Sequence, residues 1–315
     1  MTAKTQDSSY IATAVAPNTV ALDALETGLR AALGAAGLSP SGEARLLSTQ
    51  GKWSALEIPV NAVDEALPNH RRALREAWRR NDSEPADLSL LGTQHRKKKL
   101  LVSDMDSTII QQECLDELAA YAGLKDKIAA ITARAMAGEL DFEEALTERV
   151  GKLNGLSLSA LQQCFDERIT LMPGAKTLTA TMAAHSAFCL LVSGGFTFFT
   201  SRVAAETGFN AHKGNTLIDD GAALTGEVGR PILGREAKLE ALDDCAFANG
   251  ITRADALAMG DGANDLAMIE AAGLGLAVHA KPIVAKAADA AINVTELTTA
   301  LYFQGYTDDE IVWRD

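Results

Sequence analysis

The chemistry of this chain is concentrated in Leu100-Leu101-Val102-Ser103-Asp104-Met105-Asp106-Ser107-Thr108, a short apolar run ending in two carboxylates two residues apart. Such a run reads as a buried parallel strand. In an extended chain side chains repeat with a period of two, so Asp104 and Asp106 start out on the same side. Two anions held together at a strand's end cost energy unless a cation or a proton separates their roles. The pattern suggests a metal-assisted site in which one carboxylate is the nucleophile and the other an acid/base.

Three further segments fit the same chemistry. Ser193-Gly194-Gly195 follows the apolar run Phe188-Cys189-Leu190-Leu191-Val192 and opens a helix. A hydroxyl beside glycine amides at a helix start can hold phosphate oxygens. Lys238 lies on the helix after Gly234, and Gly260-Asp261-Gly262-Ala263-Asn264-Asp265 lies between a buried strand and a helix. Singly, these segments read as capped turns, a common loop and a solvated lysine. Their order distinguishes them, each motif coming where a strand has just ended. Open parallel sheets bind ligands beyond the carboxyl ends of their strands, so the strand-terminal segments meet at one edge. Hard oxygen ligands from Asp104 and Asp261 suit Mg²⁺.

The elements that must position these residues alternate. Strand patterns at 188–192, 256–259 and 274–278 are separated by helical patterns reaching 208, spanning 238–248 and reaching 272. This implies a parallel sheet covered by helices on both faces, an α/β, Rossmann-like core. Residues 216–227 interrupt it, with Asp219-Asp220-Gly221 as a hairpin turn. The helical stretch 112–165, punctuated by Gly123, Gly138 and 151–155, is too long for a simple crossover, so a cap is expected at about 114–172. Before the core, strand, helix, two strands around Gln50-Gly51, helix and strand follow at 10–15, 19–36, 43–60, 63–80 and 87–91. That βαββαβ order is ferredoxin-like. The expected domains are 1–95 and 96–315. The basic run Arg96-Lys97-Lys98-Lys99 between them reads as a solvated linker face, with phosphate attraction as the alternative.

Length and composition agree with this division. The 315 residues suffice for two domains, and 47% hydrophobic residues suffice for a substantial core. A net charge of -13 makes the chain soluble and a poor general nucleic-acid binder. An anionic substrate then needs local cations. Cys114, Cys164, Cys189 and Cys245 lack paired spacing, so reduced thiols are expected. His70, His95, His185, His212 and His279 are scattered and read as non-catalytic. Asp7 and two serines interrupt the opening segment, and no apolar run approaches the about 18 residues of a membrane span. A cytoplasmic protein without membrane partners is expected.

The cap carries the remaining candidates. After Asp141, residues Phe142, Leu146, Arg149, Val150 and Leu153 fall on one helical face. An unpaired guanidinium in that apolar stripe is costly. Arg149 therefore snorkels or pairs internally, or meets an anionic substrate group with its planar fork. Glu113, just beyond the aspartate loop, is either a solvent-facing carboxylate or the partner of an ammonium. A carboxylate for an ammonium and an arginine for a carboxylate together describe an amino acid.

From residue 100 onward the chain resembles the haloacid dehalogenase (HAD) superfamily of phosphatases, whose signature runs Asp-x-Asp-x-Thr, Ser or Thr, Lys, then Gly-Asp-x-x-x-Asp. Within it, Gln111-Gln112-Glu113-Cys114, Arg134-Ala135-Met136-Ala137-Gly138, Asp141-Phe142 and Arg149-Val150 resemble the phosphoserine phosphatase family. The resemblance implies hydrolysis of O-phospho-L-serine, the last step of L-serine biosynthesis. It implies Asp104 as nucleophile and Asp106 as general acid/base. Mg²⁺ would be held by Asp104, the Asp106 carbonyl and Asp261, with Asp265 in support. Ser193 and Lys238 would bind the phosphoryl group, Gly194 would offer an amide, and Asn264 would sit near the phosphate. Glu113 would bind the ammonium, Arg149 the carboxylate, and Met136 and Phe142 would shield the substrate. The N-terminal unit resembles ACT-type modules, which bind amino acids or pair subunits, so a homodimer through it is an expectation. A phosphatase or phosphotransferase acting on another small phosphomonoester such as phosphohomoserine, and a regulatory amino-acid sensor, are the competing readings.

Overall fold

Apolar strand runs build two large sheets, one antiparallel and one parallel, with helices packed on them. The computed structural model describes residues 7–49, 51–63, 66–80, 84–136 and 139–314, without the side chains of 7, 8, 63 and 136. Gln50 of the expected turn and Gly138 of the cap lie outside the described residues.

The N-terminal elements are β1 (Asp7–Pro17), α1 (Leu22–Ala35), β2 (Ser39–Pro40), β3 (Arg45–Ser48), β4 (Trp53–Val63), α2 (Leu67–Arg80) and β5 (Asp87–Gly92). The larger strands lie antiparallel in the order β3-β4-β1-β5, with the two-residue β2 added on β4. Side-chain alternation along β1 explains why both faces are covered. Tyr10, Ala12, Ala14 and Ala16 pack with Leu25, Leu29 and Trp78 of the two helices. Val15 points the other way, into a cluster with Trp53, Leu91, Leu301 and Phe303. The second face of this sheet is thus part of the main core.

The second region begins with β6 (Leu100–Ser103). Four helices follow, α3 (Cys114–Tyr121), α4 (Lys125–Met136), α5 (Phe142–Gly151) and α6 (Leu158–Arg168). The chain continues through α7 (Ala175–Ala184), β7 (Phe188–Phe196), α8 (Thr197–Thr207), β8 (Ala211–Asn215), the hairpin β9 (Leu217–Asp219) and β10 (Leu224–Val228), and α9 (Arg235–Ala248). It ends with β11 (Ala256–Gly260), α10 (Leu266–Ala271), β12 (Leu274–Val278), α11 (Pro282–Ala287), β13 (Ala290–Ile292) and α12 (Thr299–Phe303). One parallel sheet runs β13-β12-β11-β6-β7-β8. Its register pairs Ser103 with both Met259 and Leu191, which brings three strand ends to one level. Two of its strands escape the sequence pattern, because β8 is largely polar and β13 only three residues long.

The four helices α3–α6 leave and rejoin the core through paired segments. Ile110 bridges Leu171, and Met172 N donates to Ile109 O at 2.7 Å. The hairpin is bonded to the loop between α5 and α6 as well, since Gly155 N donates to Leu224 O at 2.8 Å and Leu224 N to Leu156 O at 2.9 Å. Among the described residues no helix is long and apolar enough to cross a membrane.

Half of the basic run departs from the expectation of a solvated linker face: Lys97 and Lys99 are exposed, whereas Arg96 and Lys98 are not. Arg96 is mostly buried, donating to Thr13 Oγ1 and Phe303 O and pairing with Glu57 at 2.6 Å. Lys98 is buried and donates to Ala254 O at 2.7 Å. Glu57 and Thr13 of the N-terminal sheet and the carbonyls of Ala254 and Phe303 in the second region meet Arg96 and Lys98 where the chain crosses between them, so these two residues clamp the regions together. Asp87 of β5 adds a second latch. Its carboxylate accepts the N–H groups of Asn293, Val294 and Thr295 and the Thr295 hydroxyl, at 2.6–3.2 Å. Asp87→Ala leaves the buried Thr295 donors without their acceptor and removes the bonds to Asn293 and Val294, and we expect it to destabilise the protein by about 3 kcal/mol. Thermal melting reads this as a lower Tm, with turnover per folded molecule unchanged.

Candidate active site

The strand period does not explain how the two aspartates converge, because β6 stops at Ser103. Asp104 N still donates to Met259 O at 3.0 Å, extending the sheet by one bond. Then the chain turns: Thr108 N and Ile109 N both donate to Met105 O, and Ser107 takes a φ of +53°. The buried Met105 side chain anchors that turn, and Asp104 and Asp106 line the same cavity of about 190 Å³. From the core, Ser193, Gly194, Asp261 and Asn264 also line it. Glu113, Phe142 and Arg149 line it from the cap side. None of the histidines does.

Lys238 and Asp265 lie beneath this floor. The Lys238 ammonium is 2.8 Å from Asp104 Oδ1 and 2.5 Å from Asp265 Oδ1. Asp265 Oδ2 in turn accepts Gly262 N at 3.0 Å. Carboxylate oxygens of Asp104, Asp261 and Asp265 all fall within 4.8 Å of one another. Burial alone would lower the pKa of Lys238, but Asp104 and Asp265 outweigh it and raise it. Burial raises that of Asp104 against the pull of Lys238, with Asp265 and Asp106 pushing the same way. Burial, Asp265 and Glu113 push Asp261 up to about 6. One ammonium cannot neutralise three crowded carboxylates, and the all-oxygen donor set fits a hard divalent cation.

Asp106 is held at both oxygens. Cys114 N donates to Oδ1 at 2.8 Å and the Ser193 hydroxyl to Oδ2 at 3.1 Å. Burial first, then the charge of Glu113, push its carboxyl up to about 6. Ser193-Gly194-Gly195 does not open the helix directly, contrary to the sequence reading. It belongs to the extended end of β7, where pairing with β8 slips between Val192 and Phe196, and α8 starts at Thr197. Crowding favours glycine at 195, where a Cβ would lie 2.9 Å from Asp106 Oδ2 and 3.0 Å from Ser193 Oγ.

On the cap side, Glu113 immediately precedes α3 and accepts the Ser107 hydroxyl at 2.7 Å. Arg149 donates through Nε to Ala145 O at 3.2 Å, and no carboxylate pairs with it among the described residues. Burial lowers its pKa, offset in part by Asp116 and Glu113. Leu146 and Val150 are buried on the same helix, whereas Phe142 stays 44% exposed at the lip. A Cβ on Gly194 would sit 3.4 Å from Phe142 Cζ, so this ring leans over the serine–glycine loop. Met136 ends α4, and its side chain lies outside the described residues. Sequence reasoning missed Lys281, which lines the cavity and whose N–H donates to Asp261 O at 3.1 Å. Its only local signal is Pro282, which starts α11.

Comparison with known proteins fits this geometry. Residues 101–270 match the family model of haloacid dehalogenase-like hydrolases. The chain is 43% identical over 224 residues to a phosphoserine phosphatase of Streptomyces coelicolor, covering 71% of this chain and 54% of that protein. It is 42% identical over 216 residues to a probable phosphoserine phosphatase of Schizosaccharomyces pombe, covering 68% of this chain and 72% of that one. A solved HAD-family hydrolase from Salmonella enterica serovar Typhi superposes with a TM-score of 0.78 at 30% identity, over 94% of this chain and 98% of that one. The chain thus spans about half of the Streptomyces relative and nearly all of the Salmonella structure. With a matching family model and the strand-end aspartates converging on one cavity, the chain belongs to the haloacid dehalogenase-like hydrolase family.

Proposed function

We propose that this protein is a Mg²⁺-dependent phosphoserine phosphatase, hydrolysing O-phospho-L-serine to L-serine and phosphate as the last step of serine biosynthesis. The observation that carries the reading is a single cavity. It is lined by Asp104, Asp106 and Ser193 together with Glu113 and an Arg149 that no carboxylate pairs among the described residues. A phosphoryl group, an ammonium and a carboxylate each have a counterpart there. The names of the Streptomyces and Schizosaccharomyces relatives support the same substrate.

In this reading an Asp104 carboxylate oxygen attacks phosphorus and the bond to the serine oxygen breaks, leaving the phosphoryl group on Asp104. Asp106 gives its proton to the departing serine oxygen, then takes one from the water that attacks the aspartyl phosphate. Ser193 and Lys238 hold phosphoryl oxygens and offset their charge. Glu113 accepts the ammonium, Arg149 grips the carboxylate as a fork, and Phe142 and Met136 cover the substrate. Gly194 N–H and Asn264 complete the phosphoryl contacts. Asp104, Asp261, the Asp106 carbonyl and, in support, Asp265 are the residues that would hold Mg²⁺, which supplies charge neutralisation at the phosphoryl oxygens. Residues 1–95 and 96–315 are assigned to two domains, with the cap inserted at about 114–172.

Phosphate release tests the substrate. Arg149→Ala is expected to raise KM for phosphoserine roughly a hundredfold, as a charge-assisted pair is worth about 1.5–3 kcal/mol or more when buried. For a phosphate ester lacking the carboxylate, KM should change less than about threefold. Equal effects on the two esters reject the role of Arg149 and the amino-acid substrate with it.

A further inference from the structure

Asn215 ends β8, just before the β9–β10 hairpin leaves the sheet, and Leu233 lies where the chain returns to α9. The Asn215 side chain is 1% exposed and fully used. Its Nδ2 donates to Gly194 O at 2.8 Å and Leu233 O at 3.2 Å, while Oδ1 accepts Leu233 N at 2.7 Å. Two carbonyls and one N–H fix which end of the amide is nitrogen.

A trans peptide is planar, with its C=O and the following N–H pointing in opposite directions. Gripped at Gly194 O, the 194–195 peptide must aim the Gly195 N–H away from Asn215. That N–H donates to Ser193 Oγ at 2.8 Å. With the hydroxyl oxygen engaged as an acceptor, its own hydrogen is directed to Asp106 Oδ2, 3.1 Å away. We propose that Asn215 is a positioning residue of the phosphoryl site, setting the direction of the Ser193 hydroxyl through the Gly194–Gly195 peptide without touching substrate. This rests on the phosphatase reading above for its readout.

Asn215 also ties the two ends of the hairpin together, and a purely structural role must be told apart from the relay. A double-mutant cycle between Asn215→Ala and Ser193→Ala does so, run on the full chain with Mg²⁺ against phosphoserine and an aryl phosphate. Asn215→Ala is expected to lower kcat by about ten- to a hundredfold on both substrates, with KM within about threefold. In the Ser193→Ala background the same substitution should lower kcat less than about twofold, because its target is already gone. Equal losses in both backgrounds overturn the proposal, and so does a wild-type kcat in Asn215→Ala. If Asn215→Ala lacks a cooperative melting transition, the cycle is repeated with the isosteric Asn215→Asp. That variant keeps the acceptor for Leu233 N–H and loses the donor to Gly194. Failure of both to fold marks the residue as structural and also overturns the proposal. Wild-type protein that hydrolyses the aryl phosphate but not phosphoserine rejects the substrate reading alone and leaves the cycle measurable.

Discussion

Asp104→Asn is expected to remove turnover, lowering kcat for phosphoserine on the order of 10⁵-fold or more, the scale seen when a covalent nucleophile is deleted. Asparagine fills the same volume, so the cavity keeps its shape. The amide nitrogen has no negative charge to present to phosphorus, and a neutral amide oxygen is a poor nucleophile. Loss of fold is not the cause. Lys238 keeps Asp265 at 2.5 Å, and removing one anion from a cluster of three relieves repulsion that burial intensifies. The metal-free variant should therefore melt no lower than wild type. Rapid quench with labelled substrate is expected to trap phosphate on the wild-type chain and none on Asp104→Asn. Substantial activity in the variant would sink the covalent mechanism.

Asp106→Asn is expected to lower kcat about 10²–10⁴-fold, the usual contribution of a positioned acid/base. The loss should depend on the leaving group. Serine's alkoxide needs a proton as it departs, whereas an aryl oxide leaves readily without one. The first chemical step on an aryl phosphate should accordingly lose about tenfold or less. The pH dependence follows from the environment of Asp106, whose carboxyl is pushed up to about 6 by burial and by Glu113. The acid form is the active one for leaving-group departure, so kcat/KM for phosphoserine falls as pH rises through that range. This alkaline limb should vanish in Asp106→Asn, where nothing titrates. A limb that persists unchanged assigns the proton to another group.

Much of this arrangement was legible because its signals are local. An apolar run with acidic residues at its end declares both a buried strand and where that strand stops. That reasoning located β6 and β11, and with them Asp104 and Asp261. The stripe through Leu146, Arg149 and Val150 likewise belongs to one helix, α5, whose Asp141–Glu144 capping box is readable from four residues. The same logic failed where a partner is distant. Lys98 and Arg96 look like solvent-facing charges until Ala254, Phe303 and Glu57 are brought against them. β8 lacks an apolar pattern because it is an edge strand, and Asn215 shows its purpose only beside Gly194 and Leu233.

The sequence by itself determined the strand–helix alternation around β6, β7, β11 and β12, the strand-terminal carboxylates and the apolar cap stripe, since period, strand ends and caps depend on neighbours a few residues away. Tertiary structure alone decided that Asp104 and Asp106 converge through a turn rather than a strand period, and that Ser193 sits in extended chain two bonds removed from Asn215. It also decided that Arg96 and Lys98 of the basic run clamp the two regions while Lys97 and Lys99 stay exposed. The last two depend on groups tens to hundreds of residues apart being packed to within hydrogen-bonding distance, where burial makes their charges and lone pairs matter.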